Sequence, residues 1–169
     1  MAEMKFKLRS IAKSAIPRAL QRADRYRLLN EPRCAESICL DVLVIDPENR
    51  VALRTLLLSL TDQFTSGGAA RQMEHAKQIL PKLDAYEQKY YAGIISERFA
   101  RYQLHLGHPG ANSAAYAYLR EAMQLYDEAN ELAADGNDEA VLRYNTCVRT
   151  IAWQNLSEPQ VMDSEYPLE

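Results

Sequence analysis

Residues 16–49 read IPRALQRADRYRLLNEPRCAESICLDVLVIDPEN and contain two helical patterns with a stop signal between them. In the first half, Leu20, Ala23 and Tyr26 recur at three-residue spacing, which is typical of one face of a helix. Pro32 ends this pattern, because proline restricts the residue before it and suits the first turn of a new helix. The apolar residues of the second half again follow helical spacing: Ala35, Ile38, Cys39, Val42, Leu43 and Ile45.

The rest of the chain repeats this alternation of helical patterns and short turns. Apolar residues recur at three- and four-residue spacing, and no Asn-Gly or Asp-Gly turn joins two alternating runs. The segment Asp46-Pro47-Glu48 predicts the N-cap and first turn of a third helix. Asp84 and Glu87 predict a capping box at the start of a long fifth helix. Turn signals then separate a sixth and a seventh helix, so we predict an all-α chain.

The length and the residues of 16–49 resemble a tetratricopeptide repeat, a 34-residue helix–turn–helix unit. Ala23 stands at the small position of the first helix, with Tyr26 three residues later, and Ala35 stands at the small position of the second. Asp46-Pro47-Glu48-Asn49 looks like the closing turn of such a repeat. Helices that cross closely need small residues at the crossing, so the resemblance implies that Ala23 and Ala35 face each other.

The resemblance is incomplete, and it weakens after residue 49. Ala19, Arg22 and Cys39 stand where the family has an aromatic residue, a leucine and a second aromatic residue. An insertion between its helices lengthens the second period. The register of the third period stays open, because either Gly93 or Ala100 fits its small position. A helical hairpin array of another family is the alternative.

The resemblance implies an all-α fold, an α-solenoid of antiparallel helix hairpins with about three repeats and a C-terminal capping helix. At 169 residues the chain is long enough to bury a core without disulfides or metals. The predicted organisation is one domain over 1–156, followed by a polar tail over 157–169. Within the domain the segments are a basic N-terminal segment 1–15, repeats 16–49, 50–83 and 84–134, and a capping helix 137–156.

The net charge of −3 conceals a gradient along the chain. Residues 1–30 contain eight basic and two acidic side chains, whereas residues 121–169 contain two basic and eleven acidic ones. Such asymmetry can steer a partner or make copies associate head to tail. The simpler interpretation is that both ends are solvated, or that the basic start packs near the acidic end.

Compartment and redox state follow from the apolar runs and the cysteines. No uninterrupted apolar run follows the basic N-terminus, which argues against a secretory signal, and no apolar stretch is long enough to span a bilayer. Cys34, Cys39 and Cys147 lack metal-ligand spacing. They therefore predict reduced, buried thiols in a cytoplasmic protein.

The sequence offers no catalytic motif, so we predict a protein that is not an enzyme and needs no cofactor or metal. A phosphate-binding loop, a G-x-S-x-G elbow, H-E-x-x-H and paired zinc cysteines are all missing from the sequence. His105 and His108 flank a turn without a neighbouring acid or thiol, which favours exposed turn histidines. Pairs of opposite charge at i,i+4 predict helix-surface ion pairs: Glu97 with Arg101, and Glu139 with Arg143. An acidic pI near 5.7 argues against nucleic acid.

The resemblance also implies where a partner would bind. In a tetratricopeptide array the first helix of each repeat lines the concave face. The candidate residues on that face are Leu20, Asp24, Arg27, Thr55, Ser59, Asp62, Tyr90, Ile94, Glu97, Arg98, Arg101 and Tyr144. We therefore predict an adaptor that binds a peptide or helix of another protein. Leu20 and Asp24 occupy two places of the clamp by which some family members grip chaperone tails, so that clamp is not expected here.

Two alternative functions and one assembly state stay open. Small acidic proteins with three such repeats act as secretion chaperones for exported subunits, and this chain resembles them in size and pI. The stretch Met4, Leu8, Ile11 and Ala15, with lysines between, favours a basic amphipathic helix and hence a membrane-surface scaffold. Packing of that helix on the first repeat is the simpler interpretation. A homo-oligomer is compatible with the sequence.

Overall fold

The computed structural model describes residues 6–158, and over this range the chain forms seven α-helices and no strand. The helices are α1 Ile16–Leu28, α2 Pro32–Ile45, α3 Arg50–Asp62, α4 Ala69–Ile79, α5 Ala85–Leu106, α6 Ala111–Glu131 and α7 Glu139–Trp153. Short 3-10 turns lie at Lys13–Ala15, Phe64–Ser66 and Leu80–Lys82. The all-α prediction is therefore confirmed. The basic segment and the polar tail predicted at the two ends fall partly outside the described residues.

Local capping explains where two of the helices begin. Asp84 Oδ1 accepts a hydrogen bond from the Glu87 N–H at 2.9 Å and Glu87 Oε2 accepts one from the Asp84 N–H at 3.5 Å, which confirms the capping box of α5. The N-cap of α3 is Asn49, whose Oδ1 accepts from the Ala52 N–H at 3.0 Å. The prediction of Asp46 as this N-cap was wrong, because Asp46 is still bonded to the end of α2.

Helices pack mainly against their neighbours in the sequence. α1 packs on α2, α2 on α3, α3 on α4, α5 on α6, and α6 on α7. In addition, α1 contacts α3, and α3 contacts α5. Ala23 and Ala35 are both completely buried and belong to the same core cluster, as a close crossing of α1 and α2 requires. A second cluster of buried side chains joins α5, α6 and α7.

The N-terminal segment differs from one interpretation of the sequence. Residues 6–12 form no helix, and only the 3-10 turn Lys13–Ala15 precedes α1. The amphipathic helix considered for Met4, Leu8, Ile11 and Ala15 is therefore not formed over 6–12, and Met4 lies outside the described residues. None of the described helices combines the length and the apolar character needed to cross a membrane.

Candidate functional site

The predicted partner-binding residues differ widely in exposure. Ser59 is completely buried, and its hydroxyl donates to the Thr55 carbonyl at 2.7 Å. The buried members of the set are Leu20, Thr55, Ser59, Ile94 and Glu97, which leaves them little surface to offer a partner. The partly or fully exposed members are Asp24, Arg27, Asp62, Tyr90, Arg98, Arg101 and Tyr144. Tyr144 stands apart from the others, because it lines a groove with residues of α6.

Arg27 on α1, Asp62 on α3 and Arg98 on α5 form a chain of ion pairs across three helices. Arg27 Nε donates to Asp62 Oδ2 at 2.8 Å, and Arg98 Nη1 donates to Asp62 Oδ1 at 2.5 Å. Arg98 Nη1 also donates to the Thr61 hydroxyl at 2.6 Å and to the Leu58 carbonyl at 3.1 Å. Burial lowers the pKa of the Arg98 guanidinium below its ordinary value, against the attraction of Asp62. Arg98 therefore ties α5 to the end of α3.

Glu97 joins α5 to both α6 and α7. Its side chain is 1% exposed, and the Tyr126 hydroxyl donates to its Oε2 at 2.7 Å. Arg101 Nη2 donates to Oε1 at 2.5 Å, and Arg143 Nη1 donates to the same oxygen at 3.4 Å. A buried carboxylate is tolerated when it is paired and hydrogen-bonded, and both oxygens of Glu97 meet this condition.

Tyr126 reaches Glu97 because α5 has a glycine where α6 crosses it. A Cβ atom added at Gly93 would lie 2.5 Å from Cε1 and 2.8 Å from Cδ1 of the Tyr126 ring. Tyr126 is completely buried, and this burial, together with the Glu97 carboxylate, raises its pKa far above the ordinary value. Ala100, the other candidate for a small position in this period, is also buried in the same cluster as Tyr126.

The ion-pair partner of Arg143 is not the residue that i,i+4 spacing predicted. The Glu97–Arg101 pair is confirmed, but its carboxylate is buried rather than on the helix surface. The predicted Glu139–Arg143 pair was wrong: Arg143 pairs with Glu97, and Glu139 Oε2 accepts from the Tyr90 hydroxyl at 3.2 Å. Sequence reasoning did not assign Arg143 or Tyr126 to the site, because their partner lies on another helix.

These ion pairs form two groups that adjoin at the consecutive residues Glu97 and Arg98 of α5. We call the six side chains together the polar band: Arg27, Asp62, Glu97, Arg98, Arg101 and Arg143. Each of its two carboxylates is shared by two guanidiniums, so the six side chains carry a net charge of +2. Arg101 is the most exposed member at 53%, followed by Arg143 at 32%. Two further carboxylates accept hydrogen bonds from hydroxyls: Asp24 Oδ1 from Thr55 at 3.4 Å and Glu139 Oε2 from Tyr90 at 3.2 Å.

The cysteines divide into one exposed and two buried thiols, all of them free. Cys34 is exposed, so the prediction that all three thiols are buried was wrong. Burial raises the pKa of Cys39 and of Cys147 to about 12. Because the thiolate is the nucleophile, neither buried cysteine is suited to catalysis at neutral pH.

We expect iodoacetamide to modify Cys34 in the native protein and to leave Cys39 and Cys147 unmodified. A pKa near 12 leaves roughly one thiolate in 10⁵ at pH 7. Intact-mass spectrometry should show one adduct on the native protein and three after denaturation. A Cys34→Ser variant should show no native adduct. Native modification of Cys39 or Cys147 at the rate of Cys34 would contradict this arrangement.

No protein-family model matches the chain, and no curated protein and no solved structure matches it either. Between residues 6 and 158, no group of three or more His, Cys, Asp and Glu side chains is placed to hold a metal ion. His108 instead bonds locally, with Nδ1 2.8 Å from the Pro109 carbonyl and Nε2 3.0 Å from Gln103 Oε1. The function of this chain is therefore inferred from its own surfaces. The polar band, with four ion pairs that join four helices, is the basis of the proposal.

Proposed function

We propose that this chain is an adaptor that binds a peptide or helix segment of another protein along the polar band. The proposal rests on one observation, the sharing of each band carboxylate by two arginines. Asp62 is shared by Arg27 and Arg98, and Glu97 is shared by Arg101 and Arg143. One guanidinium charge in each group therefore has no carboxylate of its own.

An uncompensated guanidinium favours an acidic partner. Arginine presents several N–H donors in a rigid fork that matches the two oxygens of a carboxylate. Arg101 and Arg143 keep part of their side chains in solvent while Glu97 beneath them is buried. The exposed edge of this group is thus basic although the whole chain has a net charge of −3. We infer that the recognised segment carries Asp or Glu.

The packing of the helices supports a tetratricopeptide-like array as the framework of the band. Besides the contacts between consecutive helices, α1 contacts α3 and α3 contacts α5. In a repeat array the first helices of successive hairpins lie side by side and line one surface. The band residues come from α1, α3, α5 and α7, which would be the first helices of successive hairpins. We infer a solenoid of helix hairpins in which the band follows the binding face.

Arg101→Gln is the variant that tests this proposal. Arg98 is unsuitable, because its replacement would also remove the bonds to Leu58, Thr61 and Asp62 that tie α5 to α3. Arg101 is half exposed, and Glu97 would keep Arg143 and Tyr126. We expect Arg101→Gln to weaken binding of acidic peptides up to about fivefold, since an ion pair at a solvent-exposed position is worth up to about 1 kcal/mol.

The measurement is fluorescence anisotropy with a fluorescent Glu- and Asp-rich peptide and with a Lys-rich peptide of the same length. The matched control is Arg120→Gln, which changes an exposed arginine of α6 outside the band. The wild-type protein and the control should bind the acidic peptide alike and should bind the basic peptide far more weakly. Equal binding of both peptides, or equal losses in the two variants, would refute the proposal. If the acidic peptide binds as expected, co-purification with the same pair of variants would identify the natural client.

A further inference from the structure

The outer side of α7 presents an apolar face that no described residue covers. Val141 and Val148 lie two turns apart, and Leu142 and Trp153 lie three turns apart on the adjacent side. We call these four residues the α7 face. Their exposed fractions are 37% for Val141, 61% for Leu142, 42% for Val148 and 75% for Trp153. Exposed apolar side chains clustered on one side of a helix mark an interaction surface.

The opposite end of the fold contains a groove of about 390 Å³ between the segment preceding α1, α1 itself and α2. We call it the N-terminal groove. Its lining residues are Ile11, Ala15, Arg18, Ala19, Arg22, Ile38 and Asp41. Most of these residues are aliphatic, and Arg18 and Arg22 add positive charge. A groove of this size and chemistry accommodates a large apolar side chain that approaches with acidic residues around it.

The charges at the two ends are opposite and equal in size. Among the described residues, 6–30 contain seven basic and one acidic side chain, which gives +6, and 121–158 contain two basic and eight acidic ones, which gives −6. The acidic side chains of this end lie mostly outside α7, on α6 (Glu121, Asp127, Glu128, Glu131), in the turn before α7 (Asp135, Asp138) and around its two ends (Glu139, Glu158). Opposite charge therefore attracts the C-terminal end of one copy, which includes the α7 face, to the basic N-terminal end of another. The same charges disfavour contact between the C-terminal ends of two copies. On α7 itself Arg143 is paired with Glu97 and Arg149 is exposed, and Arg149 is opposite in sign to Asp41 in the groove.

We propose that copies of this chain associate head to tail, with the α7 face of one copy docked in the N-terminal groove of the next. Trp153 is the large exposed side chain that enters the groove. Because the two surfaces differ, the contact is heterologous, and each added copy presents a new free end. The assembly therefore grows with concentration, and it does not stop at a dimer unless a ring closes. This association uses neither the polar band nor its proposed partner.

Sedimentation velocity and tryptophan fluorescence test the proposal on the full chain. Trp153 is the only tryptophan, so its emission reports on the α7 face directly. At about 50 mM salt, where charges are weakly screened, the average mass should rise above that of a dimer as the concentration increases. The tryptophan emission should shift to shorter wavelength over the same concentrations, and about 1 M salt should reverse both changes. A wild-type protein that stays monomeric throughout would overturn the proposal.

Two variants, each altered on only one of the two surfaces, give the decisive result. Arg18→Glu/Arg22→Glu alters the groove, and Leu142→Ser/Trp153→Ser alters the α7 face; the four side chains are exposed, so both variants should fold. Each variant alone should remain monomeric, whereas an equimolar mixture should form a dimer and nothing larger. Arg33→Glu/Arg71→Glu, an exposed pair on neither surface, should assemble like the wild type. Assembly of the groove variant alone would show a different interface, such as face against face, and would overturn the proposal.

Discussion

Replacing Glu97 by alanine is expected to lower the free energy of unfolding by about 3–5 kcal/mol, the usual cost of removing one partner of a buried ion pair. The Tyr126 hydroxyl would lose its acceptor in a completely buried position, and a buried donor without a partner costs about 1–3 kcal/mol. The remaining loss comes from the cavity and from the two arginines. Because Arg101 and Arg143 can turn toward solvent, we expect the lower part of the range.

Two comparison variants separate the charge of Glu97 from its hydrogen bond. Glu97→Gln keeps an oxygen that can accept from Tyr126, so it should cost less than Glu97→Ala. Tyr126→Phe removes only the hydroxyl and should cost about 1.5–3 kcal/mol, the value of a bond to a charged group. Glu131→Ala, at an exposed position of α6, should stay within about 0.5 kcal/mol of the wild type. The measurement is chemical denaturation, and equal stabilities of Glu97→Ala and Glu131→Ala would show that the Glu97 contacts contribute nothing.

Gly93→Ala is expected to destabilise the protein by about 1–3 kcal/mol, although the same change at an open helix position would stabilise it by up to about 1 kcal/mol. The added methyl group would lie 2.5 Å from the Tyr126 ring. The ring cannot move away easily, because it is completely buried and its hydroxyl is bonded to Glu97. For a chain of this length, each kcal/mol lost should lower Tm by about 2–4 °C.

A double-mutant cycle shows whether the Tyr126 ring is the cause of this loss. Tyr126→Leu removes ring atoms beside Gly93, so the methyl group of Gly93→Ala should then fit at little further cost. We expect Gly93→Ala to destabilise the Tyr126→Leu background by at least 0.5 kcal/mol less than the wild type, a coupling that is typical of residues in contact. Additive losses would assign the effect to another neighbour. A stabilising Gly93→Ala would show that α5 and α6 do not approach closely at this position.

The seven helices could be predicted from the chain itself, because the signals that specify a helix are local. Apolar residues at three- and four-residue spacing fix one face, and Pro32 and the Asp84–Glu87 capping box fix two of the starts. The errors in this prediction are local as well. The N-cap of α3 is Asn49 and not the predicted Asp46, because both polar residues belong to the same turn and each suits an N-cap.

The candidate site was predicted only in part, and the reason lies in the burial of its members. The resemblance to a tetratricopeptide repeat named Arg27, Asp62 and Arg98, which do lie together in one ion-pair chain. It also named Ser59 and Ile94, which the fold buries. Which residues of a helix remain at the surface depends on how many other helices cover it, and helical spacing alone does not specify that number.

The sequence by itself determined the all-α class, the approximate helix bounds and the charge gradient, because each depends on composition or on neighbours within one helix. Only the tertiary structure decided which charges meet. Tyr126 is 29 residues from Glu97, Arg27 is 35 from Asp62, and Arg143 is 46 from Glu97. Such pairs form because helices far apart in the sequence pack side by side, and no local spacing encodes that packing. The polar band and the close contact of Gly93 with Tyr126 are therefore properties of the fold.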